Sequence, residues 1–287
     1  MTERRTRPFK PRISLLFDFD LTLASHSLDA IAATWGITKD EWKERFDKPL
    51  GPRWDEILRH GHALIQAGMA LNKPMSSDLL HEAAGNVSLF EGVLDMPGRL
   101  RAVAREVHDG LEVEFVVLSS GFAELIGATP IADAFDRIYA STYHFENDGP
   151  NGEHGRAVCM KRMVAHADKA LYLEAHAKGL DVDGANGPEQ AGQPVAAEDM
   201  HVPFEQMIYC GDGESDLQAF GFIEAQGGRA IAVAGDGTFE PDGQTDEQRV
   251  ENIAPPDYSP GGELMRTLEH AVRAAASVAA MRALGER

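Results

Sequence analysis

The sequence SLLFDFDLT, residues 14–22, begins like a buried β-strand and then places two carboxylates, Asp18 and Asp20, in the same apolar run. Residues 12–18 are predicted to form a first strand. Strand interiors disfavour aspartate, and an unpaired buried carboxylate costs several kcal/mol. Because side chains two residues apart point to the same face of a strand, both carboxylates are expected together at one edge of a sheet. There they need a chemical role or a compensating charge.

The rest of the chain alternates between strand and helix patterns. Residues 25–91 carry apolar residues at three- and four-residue steps, which predicts several consecutive helices. This alternation predicts a parallel α/β sheet with short helices inserted after the first strand. Beyond residue 91 the predicted elements are a helix ended by Gly110, the strand LEVEFVVLSSG, a hairpin of RIYASTYHFE and RAVCMKRMV with the turn DGPNG, a helix capped by Asp168 and ended by Gly179, a polar surface loop over 180–200, the strand–turn–helix FEQMIYCGDGESDLQAFGFIEAQ, the strand GGRAIAVAGD and a helix over 263–284.

Composition excludes several classes of protein. The 287 residues carry a formal charge of -19, with 46 acidic against 27 basic residues, which argues against a nucleic-acid partner. No run approaches the ~20 apolar residues of a membrane helix, and the basic N-terminus lacks the apolar centre of a signal peptide. The two cysteines, Cys159 and Cys210, lack the spacing of a metal site. A cytoplasmic location is expected.

Three predicted strands end in polar clusters, and ligands of open parallel sheets bind beyond the carboxyl ends of the strands. The clusters are FDFDLT, VVLSSG and YCGDGESD, and the helix that begins near Lys169 can bring a cation to the same edge. Carboxylates suit Mg²⁺ and can also attack phosphorus, whereas hydroxyls and a lysine can hold phosphoryl oxygens. This combination of side chains predicts phosphoryl transfer with Mg²⁺.

DFDLT, LSSG, the later lysine and GDGESD resemble the four ordered motifs of the haloacid dehalogenase superfamily. Within it, they resemble the Mg²⁺-dependent phosphatases with a helical cap after the first motif, the phosphoserine-phosphatase-like group. The resemblance implies an α/β fold in which a Rossmann-like parallel sheet is sandwiched by helices. It also implies a core formed by residues 1–24 and 92–287 and a helical cap formed by residues 25–91.

The resemblance also implies roles for individual residues. Asp18 corresponds to the nucleophile and Asp20 to the general acid and base, and both are expected to bind Mg²⁺ together with Asp212. Lys169 is preferred over Lys161 as the motif lysine, although Ala170 replaces the hydroxyl residue usual in that motif. The other expected site residues are Ser119, Ser120 and Gly121 around the phosphate, Thr22 beside the first loop, and Asp216 as an acid that orients the site.

The substrate is expected to be a small phosphomonoester, because a cap limits access to the site. Asp20 argues for hydrolysis, since dehalogenases lack this second aspartate and transport ATPases carry threonine there. Ser27 stands where phosphoserine phosphatases carry a glutamate for the substrate amine. The resemblance also implies a cap arginine for the substrate carboxylate; Arg53 and Arg59 are the candidates, and Arg53 is the one chosen as a substrate-binding residue.

Alternatives stay open at this point. A phosphotransferase would use the same aspartyl-phosphate, and a non-catalytic binding or regulatory module would keep only the fold. His60 and His62, with His26 near the site, suggest zinc, but no third and fourth ligand lies at suitable spacing in the sequence, so zinc is not expected. A homodimer is left open, because the C-terminal helix can pack on the core or on a second subunit.

Overall fold

The computed structural model describes residues 7–146, 155–182, 184, 187–235 and 250–285. A seven-stranded sheet of order β4-β3-β2-β1-β5-β6-β7 lies at its centre. Strands β1 to β3 and β5 to β7 are parallel, and only β4 at the edge runs antiparallel. The strands are β1 (Arg12–Phe17), β2 (Glu112–Phe122), β3 (Arg137–Phe145), β4 (Ala157–Arg162), β5 (Met207–Gly211), β6 (Arg229–Val233) and β7 (Asn252–Ala254).

Helices cover both faces of this sheet. The α-helices are α1 (Ser27–Thr34), α2 (Lys39–Trp42), α3 (Glu56–Ala70), α4 (Ser77–Ala84), α5 (Met96–Val107), α6 (Ala123–Ile126), α7 (Ile131–Ala134), α8 (Asp168–Lys178), α9 (Leu217–Ala225) and α10 (Glu263–Leu284). Neighbouring residues of β1 are buried in different clusters: Leu15 packs with α5 and α10, whereas Leu16 packs with α8 and α9. A sheet buried on both faces explains the nearly continuous apolar runs of its strands. The predicted α/β architecture is confirmed.

The helical segment α1–α4 leaves and rejoins the sheet at one place. Ser25 N–H donates to Ser88 O at 2.8 Å, and Phe90 N–H donates to Leu23 O at 3.0 Å. Ala24 and Leu89 form an antiparallel bridge between the two connections. The outgoing and returning chains therefore run side by side, and the helices between them stand above the carboxyl end of β1.

Several local predictions need correction. Strand β1 ends at Phe17 rather than at residue 18, although Asp18 N–H still donates to Cys210 O of β5 at 2.8 Å. Asp168 is the first residue of α8 and not its cap, since its carboxylate accepts from Ala165 N–H at 3.2 Å. Gly179 ends α8 in the left-handed conformation, as predicted.

The hairpin of β3 and β4 is confirmed, and the predicted turn DGPNG lies outside the described residues. The predicted polar loop over 180–200 is not wholly a surface segment: Val182 and Ala191 are buried, and Lys178 donates to Gln193 O at 2.9 Å. Helix α10 has the predicted bounds and packs on α5 and the sheet. Among the described residues, no helix has both the length and the apolar composition that a membrane span requires.

Candidate active site

A cavity of about 580 Å³ lies between the carboxyl ends of the central strands and the inserted helices. Its position matches the topological switch point of a doubly wound sheet, since β1 lies between β2 and β5. The loops after β1 and β5 and the end of β2 form its floor, and α1 and α3 form its roof. The lining residues are Asp18, Asp20, Leu21, His26, Ser27, Leu28, Glu56, Ile57, His60, Ser119, Ser120, Gly121, Phe122, His166, Asp212, Gly213, Ser215 and Ala234.

Asp18 is held on the floor by a buried lysine. Lys169 Nζ lies 3.2 Å from Asp18 Oδ1 and 2.6 Å from Asp216 Oδ1, with its side chain only 1% exposed. Asp216 also accepts from the Tyr209 hydroxyl at 2.5 Å and from Asp212 N–H at 3.0 Å. Burial opposes the charge of Lys169, but Asp18 and Asp216 raise its pKa well above the ordinary value. The sequence offered two candidates for the motif lysine, with Lys169 preferred. In the structure Lys169 lies beside Asp18, and Lys161 is exposed on β4.

Asp20 is placed by a tight turn rather than by the alternation of a strand. Leu21 has φ 57, which is uncommon for a residue other than glycine, and its N–H donates to Ala24 O at 2.8 Å. The Asp20 carboxylate accepts two hydrogen bonds from Ser27: the N–H donates to Oδ1 at 2.7 Å, and the Oγ–H donates to Oδ2 at 2.8 Å. Since Ser27 is the first residue of α1, the inserted helices directly position this carboxylate.

The end of β2 forms a small polar cradle. Ser119 Oγ accepts from Gly121 N–H at 3.0 Å, which leaves its own proton available for a ligand oxygen. Ser120 Oγ is buried without a hydrogen-bond partner. A Cβ on Gly121 would lie 3.3 Å from Ser119 Oγ and 3.8 Å from Ser27 Oγ, so glycine keeps this cradle open. These groups fit the oxygens of a phosphoryl group.

The carboxylates are crowded in a way that fits a divalent cation. Burial, followed by the charges of Asp18 and Asp216, raises the pKa of Asp212 to about 8. Burial also raises the pKa values of Asp18 and Asp20 to about 6, against the lowering effects of Lys169 on Asp18 and Ser27 on Asp20. Oxygens of Asp18, Asp212 and Asp216 lie within 4.8 Å of one another. Because Lys169, Tyr209 and a backbone N–H already engage Asp216, the oxygens left for Mg²⁺ are those of Asp18 and Asp212, with Asp20 beside them.

Three of the residues considered for the site lie apart from this group. Arg53 is exposed in the turn before α3 and does not line the cavity, and Arg59 is paired with the buried Asp47 at 2.8 Å. Thr22 is fully buried beneath the loop, where its carbonyl accepts from the Tyr258 hydroxyl at 2.8 Å. The other predicted residues, except the buried Lys169 and Asp216, line the cavity.

Sequence reasoning missed several residues that the fold brings to the cavity. It treated Ser27 only as the residue that replaces a glutamate, yet Ser27 is the partner of Asp20. It assigned no role to Glu56, Phe122 or His166. No motif spacing marks these positions, because they come from separate helices and loops that meet only in the folded chain.

A second polar cluster lies at the opposite edge of the sheet. Glu114 accepts from His201 Nε2 at 2.9 Å and from the Ser14 hydroxyl at 3.0 Å, and His176 Nε2 lies 3.4 Å away. Arg12 donates to His201 Nδ1 at 2.8 Å, so Nε2 carries the proton that Glu114 accepts. This network satisfies its own polar atoms and needs no metal ion to do so.

The fold and the acid-lined cavity define an α/β protein of the doubly wound class with helices inserted over its site. Residues 15–221 match the haloacid dehalogenase-like hydrolase family. The chain belongs to this family of hydrolases. No curated protein sequence matches the chain.

Solved structures share the fold at low sequence identity. A HAD family hydrolase of Salmonella enterica subsp. enterica serovar Typhi is 15% identical, with TM-score 0.59 over 92% of this chain and 72% of that one. A substrate-bound phosphoserine phosphatase is 17% identical, with TM-score 0.53 over 91% and 99%. A probable phosphoserine phosphatase of Vibrio cholerae is 16% identical, with TM-score 0.54 over 96% and 68%. These likenesses support the phosphoserine-phosphatase-like fold that the sequence motifs predict.

Proposed function

We propose that the protein is a Mg²⁺-dependent phosphatase that hydrolyses a small phosphomonoester through an aspartyl-phosphate on Asp18. The observation that carries the proposal is the convergence of Asp18, Asp20, Ser119 and Asp212 on one cavity, with Lys169 Nζ 3.2 Å from Asp18. Family membership adds support for hydrolysis.

In the first step an Asp18 carboxylate oxygen forms a bond to phosphorus, and the bond from phosphorus to the alcohol oxygen breaks. Lys169 favours the ionised form of Asp18 that this attack requires. The Ser119 hydroxyl, which accepts from the Gly121 N–H, and the Ser120 amide donate to the phosphoryl oxygens, while Asp20 gives a proton to the departing oxygen.

In the second step water attacks phosphorus, Asp20 takes a proton from that water, and the bond between phosphorus and Asp18 breaks. Ser27 donates to both Asp20 oxygens and so favours the ionised carboxylate that acts as the base. Mg²⁺, when bound by Asp18, Asp20 and Asp212, supplies positive charge to offset the crowded carboxylates and the phosphate.

The same proposal takes residues 25–91 as a cap over a core formed by residues 1–24 and 92–287. Support comes from the paired connections at residues 23–25 and 88–90 and from the cavity walls that α1 and α3 supply. We expect the enzyme to act in the cytoplasm, since Cys159 and Cys210 are both free thiols.

Phosphate release from a panel of phosphomonoesters, with Mg²⁺ or with a chelator, tests this proposal. We expect Mg²⁺-dependent release by the wild type, almost none by Asp18→Asn, and full activity in Asp40→Asn, a control at an exposed position outside the cavity. Equal release by the wild type and Asp18→Asn would refute the nucleophile assignment. Transfer of phosphate to an added alcohol would identify a phosphotransferase, and no turnover of any ester would favour a binding module.

A further inference from the structure

Among the described residues, the roof of the cavity carries one formally charged side chain, that of Glu56. Glu56, Ile57 and His60 all line the cavity from the first turns of α3. His60 Nε2 lies 3.8 Å from Glu56 Oε1 and 3.7 Å from Asp47 Oδ1. The His60 and Trp42 rings pack in a T-shaped arrangement, with their centroids 5.6 Å apart. The imidazole is therefore packed in place, and it stands beside the Glu56 carboxylate at the roof.

No arginine or lysine lines the cavity, as far as its wall is formed by described residues. Arg59 is engaged by Asp47, and Lys39 is paired with Asp29 at 3.1 Å. His26 also lines the cavity, but its Nδ1 accepts from the Leu28 N–H at 3.3 Å, so its ring carries a proton on Nε2 only and is neutral. Burial lowers the pKa of His60.

The leaving group of a bound phosphomonoester has to extend from the floor of the cavity toward this roof. Lys169 lies on the floor with Asp18 and Asp216, so its charge acts on the phosphate group of the substrate and not on the leaving group. An anionic substituent on the leaving group would meet Glu56 without a cation to hold it, whereas a cationic substituent would gain an attractive partner. The charge distribution thus discriminates between classes of alcohol.

We propose that the preferred substrate is the phosphate ester of an amino alcohol, with a positively charged amine facing Glu56 and no carboxylate. The proposal rests on the proposed phosphatase function and adds the substrate class. Phosphoserine carries both an amine and a carboxylate, so its carboxylate makes it a poor substrate for this cavity.

Three probe substrates separate these contributions. Phosphoethanolamine carries the amine, n-propyl phosphate replaces the amine by a methyl group of similar size, and phosphoserine adds the carboxylate. The side chain of Glu56 is 56% exposed, so solvent screens its charge and its effect lies at the lower end of the Coulomb range. We expect kcat/KM for phosphoethanolamine to exceed that for each of the other two esters by about tenfold, which corresponds to about 1.4 kcal/mol.

Two substitutions locate the effect. Glu56→Gln should reduce the preference for phosphoethanolamine over n-propyl phosphate to near unity. Glu56→Lys should disfavour the amine and improve turnover of phosphoglycolate, whose alcohol carries a carboxylate. Glu44→Gln is the matched control, since Glu44 is exposed on the inserted segment and does not line the cavity. Circular dichroism of each variant checks that it is folded.

The outcomes distinguish this inference from the function on which it rests. Hydrolysis of n-propyl phosphate that depends on Asp18, without a preference for the amine, would overturn the substrate class and leave the phosphatase proposal standing. A preference for the amine that survives Glu56→Gln would overturn the role of Glu56. No hydrolysis of any ester with Mg²⁺ would overturn the phosphatase proposal and the substrate class together.

Discussion

Ser27→Ala removes one hydrogen bond from the proposed acid and base, and the effect can be worked out from the structure. The Ser27 hydroxyl donates to Asp20 Oδ2 at 2.8 Å, whereas the backbone N–H of the same residue donates to Oδ1 at 2.7 Å and remains in the variant. A hydrogen bond to a charged group contributes ~1.5–3 kcal/mol. Below the pKa of Asp20, which is about 6, the resting acid is protonated and this hydrogen bond strengthens only as Asp20 gives up its proton. At such a pH we therefore expect the lower end of that range, about a tenfold loss in kcat/KM for an alkyl phosphate.

The choice of leaving group shows whether the loss acts through Asp20. The value of kcat/KM reports the steps through formation of the aspartyl-phosphate, in which Asp20 donates a proton to the leaving oxygen. A p-nitrophenolate ion leaves without that proton. Ser27→Ala should therefore reduce kcat/KM for n-propyl phosphate and change it little for p-nitrophenyl phosphate.

Ser77→Ala is the matched control for this experiment. Ser77 is a buried serine at the first position of α4, so it shares the setting of Ser27, but its hydroxyl contacts His81 and does not line the cavity. The control should keep the activity of the wild type on both esters. A variant at residue 27 that lost equal activity on both esters, or none on either, would show that Ser27 does not position Asp20.

Three further predictions concern charge and stability. Hydrogen bonds from His176 and His201 hold the pKa of Glu114 below its ordinary value, against burial, so its contribution to stability is complete above its unfolded pKa and is lost as pH falls below it. In urea unfolding, the difference in free energy of unfolding between the wild type and Glu114→Gln should therefore shrink as pH falls from ~5 to ~3, and a constant difference would contradict this. Asp212→Asn should abolish the rise in Tm that Mg²⁺ gives the wild type, yet raise the Tm of the metal-free protein, because it removes a carboxylate from a crowded buried site. Lys169→Met should lower the free energy of unfolding by about 3–5 kcal/mol, since it leaves Asp18 and Asp216 buried without their cation. Denaturant titration measures this change, and a loss below ~1 kcal/mol would refute the buried ion pairs.

The floor of the site was largely predictable from the sequence. Asp18 and Asp212 directly follow buried strands, Ser119 lies near the end of another, and the carboxyl ends of parallel strands must meet at one edge. Lys169 was placed near this edge because it begins a helix, and the structure puts it beside Asp18. Strand order and edge geometry therefore carry most of the information about these residues.

The position of Asp20 was predicted for the wrong physical reason. Alternation along a strand was expected to align it with Asp18, but β1 ends at Phe17 and the turn through Leu21 places it instead. Its partner Ser27 begins the first inserted helix, and no local pattern links a serine in one element to a carboxylate in another. Such contacts depend on the angle at which the helices meet the sheet.

The roof of the cavity was the least predictable part. Arg53 was chosen as a candidate for the cap arginine that the family resemblance implies, and it lies exposed outside the lining, while Glu56 three residues later faces the cavity. Residues three apart on a loop and a helix start point in different directions, and only the orientation of α3 decides which faces the site. Substrate contacts therefore needed the folded structure.

The most direct test of the central claim is a rapid-quench measurement on Asp20→Asn with p-nitrophenyl phosphate and Mg²⁺. The leaving group needs no proton, but the second step lacks its base, so the aspartyl-phosphate should accumulate. We predict a burst of one p-nitrophenol per enzyme molecule followed by slow turnover, with borohydride converting residue 18 to homoserine in the quenched protein. Absence of a burst from an active variant, or homoserine at any other aspartate, would contradict Asp18 as the nucleophile.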